Sequence, residues 1–474
     1  MIMIKTDELT GKKVLILGLA RQGVAMARFA AEVGARVAVS DIRESNEIQS
    51  NLEDLEDLPV ETVLGSHPLS LLEGVDLVVI SGGVPLELPV IVEAERLGIQ
   101  VTNDSFEFIK RVPCPVIGIT GSAGKTTTTA LTGAMVKSTG RKTWVGGNIG
   151  RPLIPELKDM QTGDIVVQEL SSFQLELWTL SPPIAAILNV TPNHLDRHGT
   201  MQAYIDAKAH IFEYQSADNI AVISDDDPRA PSLSSRVVSR LRSFSEKRPV
   251  DDGAFLKDDI IFVRDGYQQH QLCTVADIPL RGQHNVLNVL AAAVLADSAG
   301  VPSAAMQEAI VHFKGVPHRL EEVAVINRVQ YINDSIATAP ERAIAAVESF
   351  SAPIILLAGG RDKDMFWQSW TEKVAAETRA VILFGDLAEQ LESLLRGSDK
   401  AGWKNDFRIF RVETMDQAVL LAYEIAVAGD VVLLAPGGTS FDQYDDFEAR
   451  GEAFRELVFK LAKRPQADSS FMLN

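Results

Sequence analysis

The sequence predicts an α/β protein of three domains: a Rossmann-like N-terminal domain, a central P-loop ATPase-type domain with a mostly parallel sheet, and a Rossmann-like C-terminal domain. Three observations point there. Short β-branched runs alternate with amphipathic helical stretches almost throughout, as parallel sheets with crossover helices require. Several of these runs end in a glycine-rich or polar turn, where such sheets bind their ligands. At 474 residues the chain also exceeds what one core ordinarily supports.

The elements follow in order. The first block, residues 1–104, carries strand-like VLILG (Val14–Gly18), RVAVSD (Arg36–Asp41) and DLVVIS (Asp76–Ser81). A break at RVPCP (Arg111–Pro115) introduces the second block, residues 105–315. It contains VIGIT (Val116–Thr120), DIVVQE (Asp164–Glu169), AAILNV (Ala185–Val190) and NIAVIS (Asn219–Ser224). The polar stretch Ser234–Asp252 is expected to decorate this block as hairpins or loops. The third block, residues 316–474, opens near Gly315–Arg319 and carries IILLAGG (Ile354–Gly360), AVILFG (Ala380–Gly385) and VVLLAPGG (Val431–Gly438). The tail PQADSSFMLN reads as a frayed end.

Composition narrows the function. A formal net charge of −19 argues against nucleic acid, whose phosphate backbone is bound by clustered Lys and Arg. A small anionic ligand remains open, because its affinity depends on a few local cations. Cys114 and Cys273 are the two cysteines and form no CxxC pair, which speaks against a zinc site or a disulfide framework. The N-terminus has no apolar signal core, and no stretch approaches the roughly 20 apolar residues of a membrane helix. A cytoplasmic monomer without membrane contact is the expectation.

The segment GITGSAGKTTTT (Gly118–Thr129) follows a strand and opens a helix, the context a phosphate loop requires. Gly121 and Gly124 let backbone N–H groups turn inward around phosphate oxygens. Lys125 can neutralise the β- and γ-phosphates, Thr126 can offer its hydroxyl to Mg²⁺, and the helix N-terminus adds its positive dipole end. In the general GxxxxGK[ST] pattern the first glycine position falls on Ile119, with Gly118 one residue early. A second turn, Gly18-Leu-Ala20-Arg21-Gln22-Gly23, precedes a helix, and Asp41 ends the next strand. Ala20 stands where a dinucleotide fingerprint has its middle glycine, which weakens an NAD reading. The alternative is a diphosphate-sugar nucleotide, with phosphates near the turn and the base near Asp41, Ile42 and Arg43.

Further polar groups fall at strand ends: Asn148, Glu169, His194 and Asp196. With Thr126, one carboxylate and one imidazole are plausible Mg²⁺ ligands beside ATP phosphates, since Mg²⁺ prefers oxygen and keeps several waters. Lys208 lies on a helical stretch beside Ile205, Ile211 and Phe212. It reads either as a surface lysine with a buried stem or as a partly buried amine that reacts with CO₂ when neutral.

Taken in order, GLARQG with Asp41, GITGSAGKTTT, GGNIGRPL, QELSSFQLE, LNVTPNHLDRHG, YIDAKAHIFE, RGQHNVLNVLAA, GVPHRLE, INDSIATAP, GGRDKD and TSFDQYDDFEARG resemble the Mur ligases over nearly the whole chain. The shifted glycine spacing is shared with folylpolyglutamate synthetases, while the INDSxAT and SFDQ elements favour the D-glutamate-adding branch. The resemblance implies an ATP-dependent amide ligase of peptidoglycan precursor synthesis. In it, ATP phosphorylates the carboxylate of UDP-N-acetylmuramoyl-L-alanine, and D-glutamate attacks the acyl phosphate. Domain closure would assemble that site and exclude water.

Carried over by position, Lys125, Glu169, His194 and Lys208 are the catalytic candidates. Gly121, Ser122, Ala123, Gly124, Lys125, Thr126, Thr127, Asn288, Arg319 and Asp334 would bind ATP. The UDP-sugar falls to Gly18, Ala20, Arg21, Gln22, Asp41, Ile42, Arg43, Ser81, Gly82, Asn148 and Gln174, and D-glutamate to Thr338, Lys363, Ser440 and Phe441. Two Mg²⁺ ions would use Thr126, Glu169, His194 and carbamylated Lys208. Three departures are present. Ile336 replaces the lysine of NDSKAT, Ser81–Gly83 reads SGG for SPG, and Pro436–Ser440 reads PGGTS for PACAS. The expectation is that activity survives, with Lys363 as the main acceptor cation. A related ligase with another acceptor, a non-catalytic nucleotide-binding relative and an NAD-dependent oxidoreductase are the rival readings.

Overall fold

Twenty strands gather into three sheets in a computed structural model that describes residues 7–463, apart from 46–47, 149, 194, 267, 281, 364, 399–401 and 405–406. Two compact units result, dividing after Phe313, and the first contains two of the sheets.

The first sheet holds β1 (Lys13–Leu17), β2 (Arg36–Asp41), β3 (Val60–Leu64), β4 (Leu77–Ile80) and β5 (Gln100–Asn103) in the order β3-β2-β1-β4-β5, all parallel. Helices cover both faces, so the central strands are apolar throughout: every residue of Val14–Leu17 and Leu77–Ile80 is buried. The strand order reverses between β1 and β4. In such sheets that reversal is where ligands bind, at the carboxyl ends of the strands, and here it lies next to Gly18 and Ser81.

The second sheet begins with β6 (Val116–Thr120), β7 (Thr143–Gly147), β8 (Ile165–Glu169), β9 (Ile184–Ile187), β10 (Ile220–Ser224) and β11 (Arg240–Ser245). It ends in an antiparallel extension, β12 (Gly253–Lys257), β13 (Ile260–Asp265) and β14 (Gln268–Thr274). The order is β14-β13-β12-β11-β10-β9-β6-β8-β7. On one face lie the helices Lys125–Lys137 and His284–Ser298, packed through Leu131, Met135, Val289 and Ala293 against Ile117, Ile119 and Val167. On the other face, Trp178, Tyr204, Ile211 and Phe212 are fully enclosed.

One expectation is corrected here. The polar stretch Ser234–Asp252 includes β11, a parallel strand of the main sheet, and the hairpins follow it at Gly253–Thr274. Arg240 and Arg242 hide the strand pattern. Arg242 is nonetheless buried, because its guanidinium bonds to Asp252 and Ser298, the Arg264 carbonyl and Asp297. A buried charge that is fully bonded in this way is tolerated in a sheet.

The second unit has one sheet: β15 (Glu321–Ile326), β16 (Val329–Asn333), β17 (Ile354–Gly359), β18 (Ala380–Phe384), β19 (Arg408–Arg411) and β20 (Val431–Gly437), in the order β15-β16-β20-β17-β18-β19. β15 and β16 form an antiparallel hairpin, and the other pairings are parallel. Asn327 and Arg328 turn the hairpin with φ of 52° and 64°, the doubly left-handed turn whose twist suits a two-residue connection. No helix among the described residues is long and apolar enough to cross a membrane.

The chain passes from the first sheet to the second through the helix Asp104–Ile109, capped by the Asn103 side chain on Phe106 N–H at 2.9 Å. Asp104 is buried beside it, and burial pushes its carboxyl up to about 6 from 3.8. A folded value above the unfolded one means that this group's stabilisation is present below about pH 4 and is lost as pH rises through 6. The cost at neutral and higher pH is about 3 kcal/mol. Asp104→Asn is therefore expected to stabilise the protein at pH 8 by about 2–3 kcal/mol. Denaturant titrations across pH should show the gain shrinking toward acid.

Candidate active site

β6 ends in the phosphate loop, whose two glycines have backbones that a side chain would disturb. Gly124 caps the helix Lys125–Lys137 in the left-handed region, at φ +83°, and a Cβ there would lie 2.4 Å from Asn288 Oδ1. Gly121, at φ +156°, rests against Leu188. Asn189 holds the tip of the loop. Its Oδ1 accepts from Ala123 N–H at 2.8 Å, its Nδ2 donates to Ala123 O at 3.0 Å, and its carbonyl accepts from Ser122 N–H at 2.9 Å. Thr126 and Thr127 are buried in the first helical turn. Asn288, expected at the nucleotide, does reach this loop, with its Oδ1 3.4 Å from Thr128 Oγ1.

Gly124→Ala would force alanine into the left-handed region, at roughly 1–2 kcal/mol, and into Asn288. Nucleotide affinity, measured with a fluorescent ADP analogue, should fall at least about tenfold.

Two lysines converge on one carbonyl. Lys125 Nζ donates to Gly121 O at 2.8 Å and to Ser122 O at 3.2 Å, and Lys208 Nζ donates to the same Gly121 O at 3.0 Å. Lys208 is 1% exposed and lies 4.5 Å over the Tyr204 ring. Among the described residues no carboxylate pairs with it. Burial first, and then the charge of Lys125, hold its amine well below the usual lysine range. Tyr204 also places its hydroxyl 3.0 Å from Ser122 Oγ.

Beside the loop, β8 pairs with β6 so that Glu169 stands opposite Ile119. Glu169 is buried, and its Oε1 accepts from Asn148 Nδ2 at 3.0 Å. Gln174 follows in the next turn, where its Oε1 accepts from Ser171 N–H at 3.0 Å. His194 lies outside the described residues. Among the described residues no group of three or more His, Cys, Asp or Glu is placed to hold a metal. The donors that are present suit Mg²⁺: a buried carboxylate at a strand end and a threonine hydroxyl in the first turn of the phosphate-loop helix.

In the first sheet, Ser81 Oγ donates to Gly18 O at 2.7 Å, joining the carboxyl ends of β1 and β4. Ala20 caps the helix Arg21–Glu32, and Gln22 Oε1 faces Gly82. Asp41 accepts from Leu19 N–H at 2.7 Å and from Nε and Nη2 of the Arg43 guanidinium at 2.9 and 2.8 Å. Burial opposes its ionisation, but these partners outweigh burial and hold the carboxyl down at about 2. Ile42 beside it is 68% exposed, an apolar surface next to a fixed carboxylate. The turn after β4 is reached from the second sheet by Arg197, which donates to Gly82 O at 3.3 Å and Val84 O at 2.6 Å.

In the second unit the candidates cluster at the carboxyl ends of the parallel strands. Arg361 and Thr439 exchange backbone bonds at 2.9 Å each, which brings the loops after β17 and β20 together. Lys363 then sits 5.5 Å over the Phe441 ring, next to buried Ser440. Asp362 fixes that loop by accepting from Lys363 N–H at 2.8 Å and Trp367 Nε1 at 3.2 Å. Ala337 O accepts from Gly437 N–H at 2.8 Å, so Thr338 belongs to the same edge. Asp334 follows β16, and burial pushes it up to about 6 against the Leu320 N–H and the charges of Arg319 and Arg342. Ile336 leaves no side-chain cation at its position; Arg342 Nη1 instead reaches its carbonyl at 3.4 Å.

Sequence reasoning missed Asn189, Tyr204 and Arg450. Arg450 is fully buried and bonds to Ser335 Oγ, Ser335 O and Gly438 O at 3.0, 2.9 and 3.2 Å, joining two candidate loops. Each missed residue lies inside a quoted motif, which was the available signal, but its partner is distant in sequence.

Comparisons with known proteins agree along the chain. Family models described as "Mur ligase MurD-like, N-terminal domain", "Mur ligase middle domain" and "Mur ligase, glutamate ligase domain" match residues 12–103, 119–296 and 318–438. A Pelotomaculum thermopropionicum protein named UDP-N-acetylmuramoylalanine–D-glutamate ligase is 40% identical, covering 96% of this chain and 99% of its own. A Koribacter versatilis protein of the same name is also 40% identical, with the same coverage. Among solved structures, the UDP-N-acetylmuramate-alanine ligase MurC of Thermotoga maritima aligns with a TM-score of 0.58 at 21% identity, over 95% of this chain and 99% of that one. The MurF ligase of the same organism in complex with ADP gives 0.52 at 18%, over 96% and 97%. At these identities the two structures speak to fold alone.

Proposed function

This chain belongs to the Mur ligase family, and from that premise we propose that it joins D-glutamate to UDP-N-acetylmuramoyl-L-alanine at the expense of ATP, in peptidoglycan precursor synthesis. The observation that carries the chemistry is the phosphate loop beside buried Glu169 on the adjacent strand, with Lys125 and Lys208 meeting at Gly121 O. That arrangement suits transfer of a phosphoryl group and is left unexplained by an NAD-dependent oxidoreductase or by a purely binding module.

In this reading residues 1–104 hold the UDP-sugar, 105–315 the ATP and 316–474 the amino acid. The strand ends beside Gly18 and Ser81 take the diphosphate, with Asp41, Ile42 and Arg43 toward the base. Loop N–H groups and Lys125 hold the β- and γ-phosphates. A carboxylate is a poor electrophile, so an oxygen of the alanyl carboxylate attacks the γ-phosphorus and ADP departs, leaving an acyl phosphate. The D-glutamate amine then attacks the carbonyl carbon, loses a proton, and the tetrahedral intermediate expels phosphate to leave the amide. Mg²⁺, held by Thr126, Glu169 and His194, would supply charge neutralisation for the phosphates.

Lys208 reacts through its neutral amine form, which burial and then the charge of Lys125 favour. Its lone pair attacks CO₂ and a proton leaves to solvent, giving an anionic carbamate suited to a second Mg²⁺. Lys363, Thr338, Ser440 and Phe441 receive the acceptor, while Arg319 and Asp334 serve the nucleotide. A monomer acting in the cytoplasm completes the reading.

Phosphate release with UDP-N-acetylmuramoyl-L-alanine and a panel of acceptors tests this directly. Release is expected with D-glutamate. If another amino acid is preferred, the acceptor assignment fails, and Ile336 is the departure that would favour that outcome. No release with any acceptor, while ADP still binds, would remove the ligase reading itself.

A further inference from the structure

His198 ends the short helix Leu195–His198, and its side chain is 1% exposed. Its Nε2 lies 2.9 Å from Ser172 Oγ, and its Nδ1 lies 2.9 Å from Glu176 Oε1. The ring stacks on Phe173 at 5.1 Å with 9° between planes, and meets Tyr204 at 5.0 Å. With Glu176 ionised, one tautomer satisfies both polar contacts: Nδ1–H donates to Glu176, and Nε2 accepts from the Ser172 hydroxyl.

These neighbours come from separate segments. Ser172, Phe173 and Glu176 follow Glu169 at the end of β8. Tyr204 is one turn before Lys208 on the helix Met201–Glu213, and also touches Ser122 of the phosphate loop. His198 itself lies four residues after His194. The neighbouring Arg197 stacks 4.4 Å over Phe173 and binds the carbonyls of the turn after β4, which anchors the same segment to the first sheet.

We propose that His198 is a positioning residue for the cation of the reaction. It ties the segments that carry Glu169 and Lys208 into one arrangement and acts through those neighbours, not by contact with the reacting atoms. The proposal rests on the ligase reading for the identity of the cation site. It goes beyond that reading in assigning the Ser172–His198–Glu176 relay a task. Groups bonded directly to metal ligands typically change metal affinity by about 10–100-fold when removed, and His198, one contact farther out, is expected at the lower end of that range.

The test is Mn²⁺ binding by the full chain in the presence of ADP, followed by electron paramagnetic resonance, and it does not depend on turnover. His198→Ala should weaken Mn²⁺ roughly tenfold, with the Mg²⁺ needed for half-maximal phosphate release rising by a similar factor. ADP affinity without metal should hold within about twofold, and the single variant Glu176→Gln, which keeps an acceptor for His198 Nδ1–H, should retain most of the metal affinity. Unchanged Mn²⁺ binding in His198→Ala would overturn the proposal, even if stability and kcat fall, because that is the mark of a merely structural network. If His198→Ala does not fold, Ser172→Ala removes the Nε2 partner alone and carries the same comparison. A wild-type chain that binds Mn²⁺ with ADP yet releases no phosphate would count against the ligase reading and leave this comparison intact.

Discussion

Replacing Lys208 by alanine should lower phosphate release by roughly 10²–10³-fold, the scale on which loss of one preorganised charge-stabilising group is felt. The informative variant is Lys208→Arg. Arginine keeps the positive charge and can reach Gly121 O, but it cannot become neutral and so cannot take up CO₂. If Lys208 works as a cation, Lys208→Arg retains much of the activity; if it works as a carbamate, the variant is about as inactive as alanine. The structure favours the second result. Two ammonium groups sharing one carbonyl acceptor repel each other, and the more buried of them, Lys208, has no carboxylate beside it among the described residues. Converting it to an anion turns that repulsion into attraction for Lys125 and adds oxygen donors of the kind Mg²⁺ prefers. A short carboxylic acid added to Lys208→Ala should restore part of the activity, while addition to Lys208→Arg should not. Near wild-type activity in Lys208→Arg would dismiss the carbamate.

The interior of each sheet was legible in the sequence because it is apolar on both faces: Val14–Leu17, Val116–Thr120 and Ile354–Gly359 read as continuous hydrophobic runs and are buried strands. The edges were not. β3, β5, β7, β14, β15 and β19 each lie at the end of a sheet, and Val60–Leu64 and Arg408–Arg411 are half solvated with no run to see. At the site, the phosphate loop was legible because its glycines and Gly-Lys-Thr are local requirements of backbone shape and charge. Asn189 was hidden for the opposite reason. It matters because its amide matches the Ala123 backbone 66 residues away, and no spacing rule announces such a partner. Lys208 stands between these cases: its position was readable, but its chemistry depended on finding Lys125 and Gly121 O beside it.

Arg450 provides the largest expected stability effect in the second unit. Its guanidinium is buried with no bonded carboxylate among the described residues, and burial lowers its pKa to about 10, with Asp442 and Tyr444 acting in the other direction. The net cost of holding that charge in the folded state is therefore about 3 kcal/mol. Three bonds to Ser335 and Gly438 offset it, and hydrogen bonds to a charged group contribute about 1.5–3 kcal/mol each. Removing the side chain relieves the first term but forfeits the bonds and leaves two buried carbonyls to find other donors. Arg450→Ala is expected to destabilise the unit by about 3 kcal/mol. Because the folded and unfolded values both lie far above neutrality, the loss should be the same between about pH 6 and 8. Lysine cannot span the three acceptors, so Arg450→Lys should recover little. The bonded loops carry Asp334–Thr338 on one side and Ser440–Phe441 on the other, so the KM for ATP and for the acceptor should rise together in either variant. Calorimetry and steady-state kinetics on the full chain check both halves. A stable Arg450→Ala with unchanged KM values would mean that the two loops hold their shape without it.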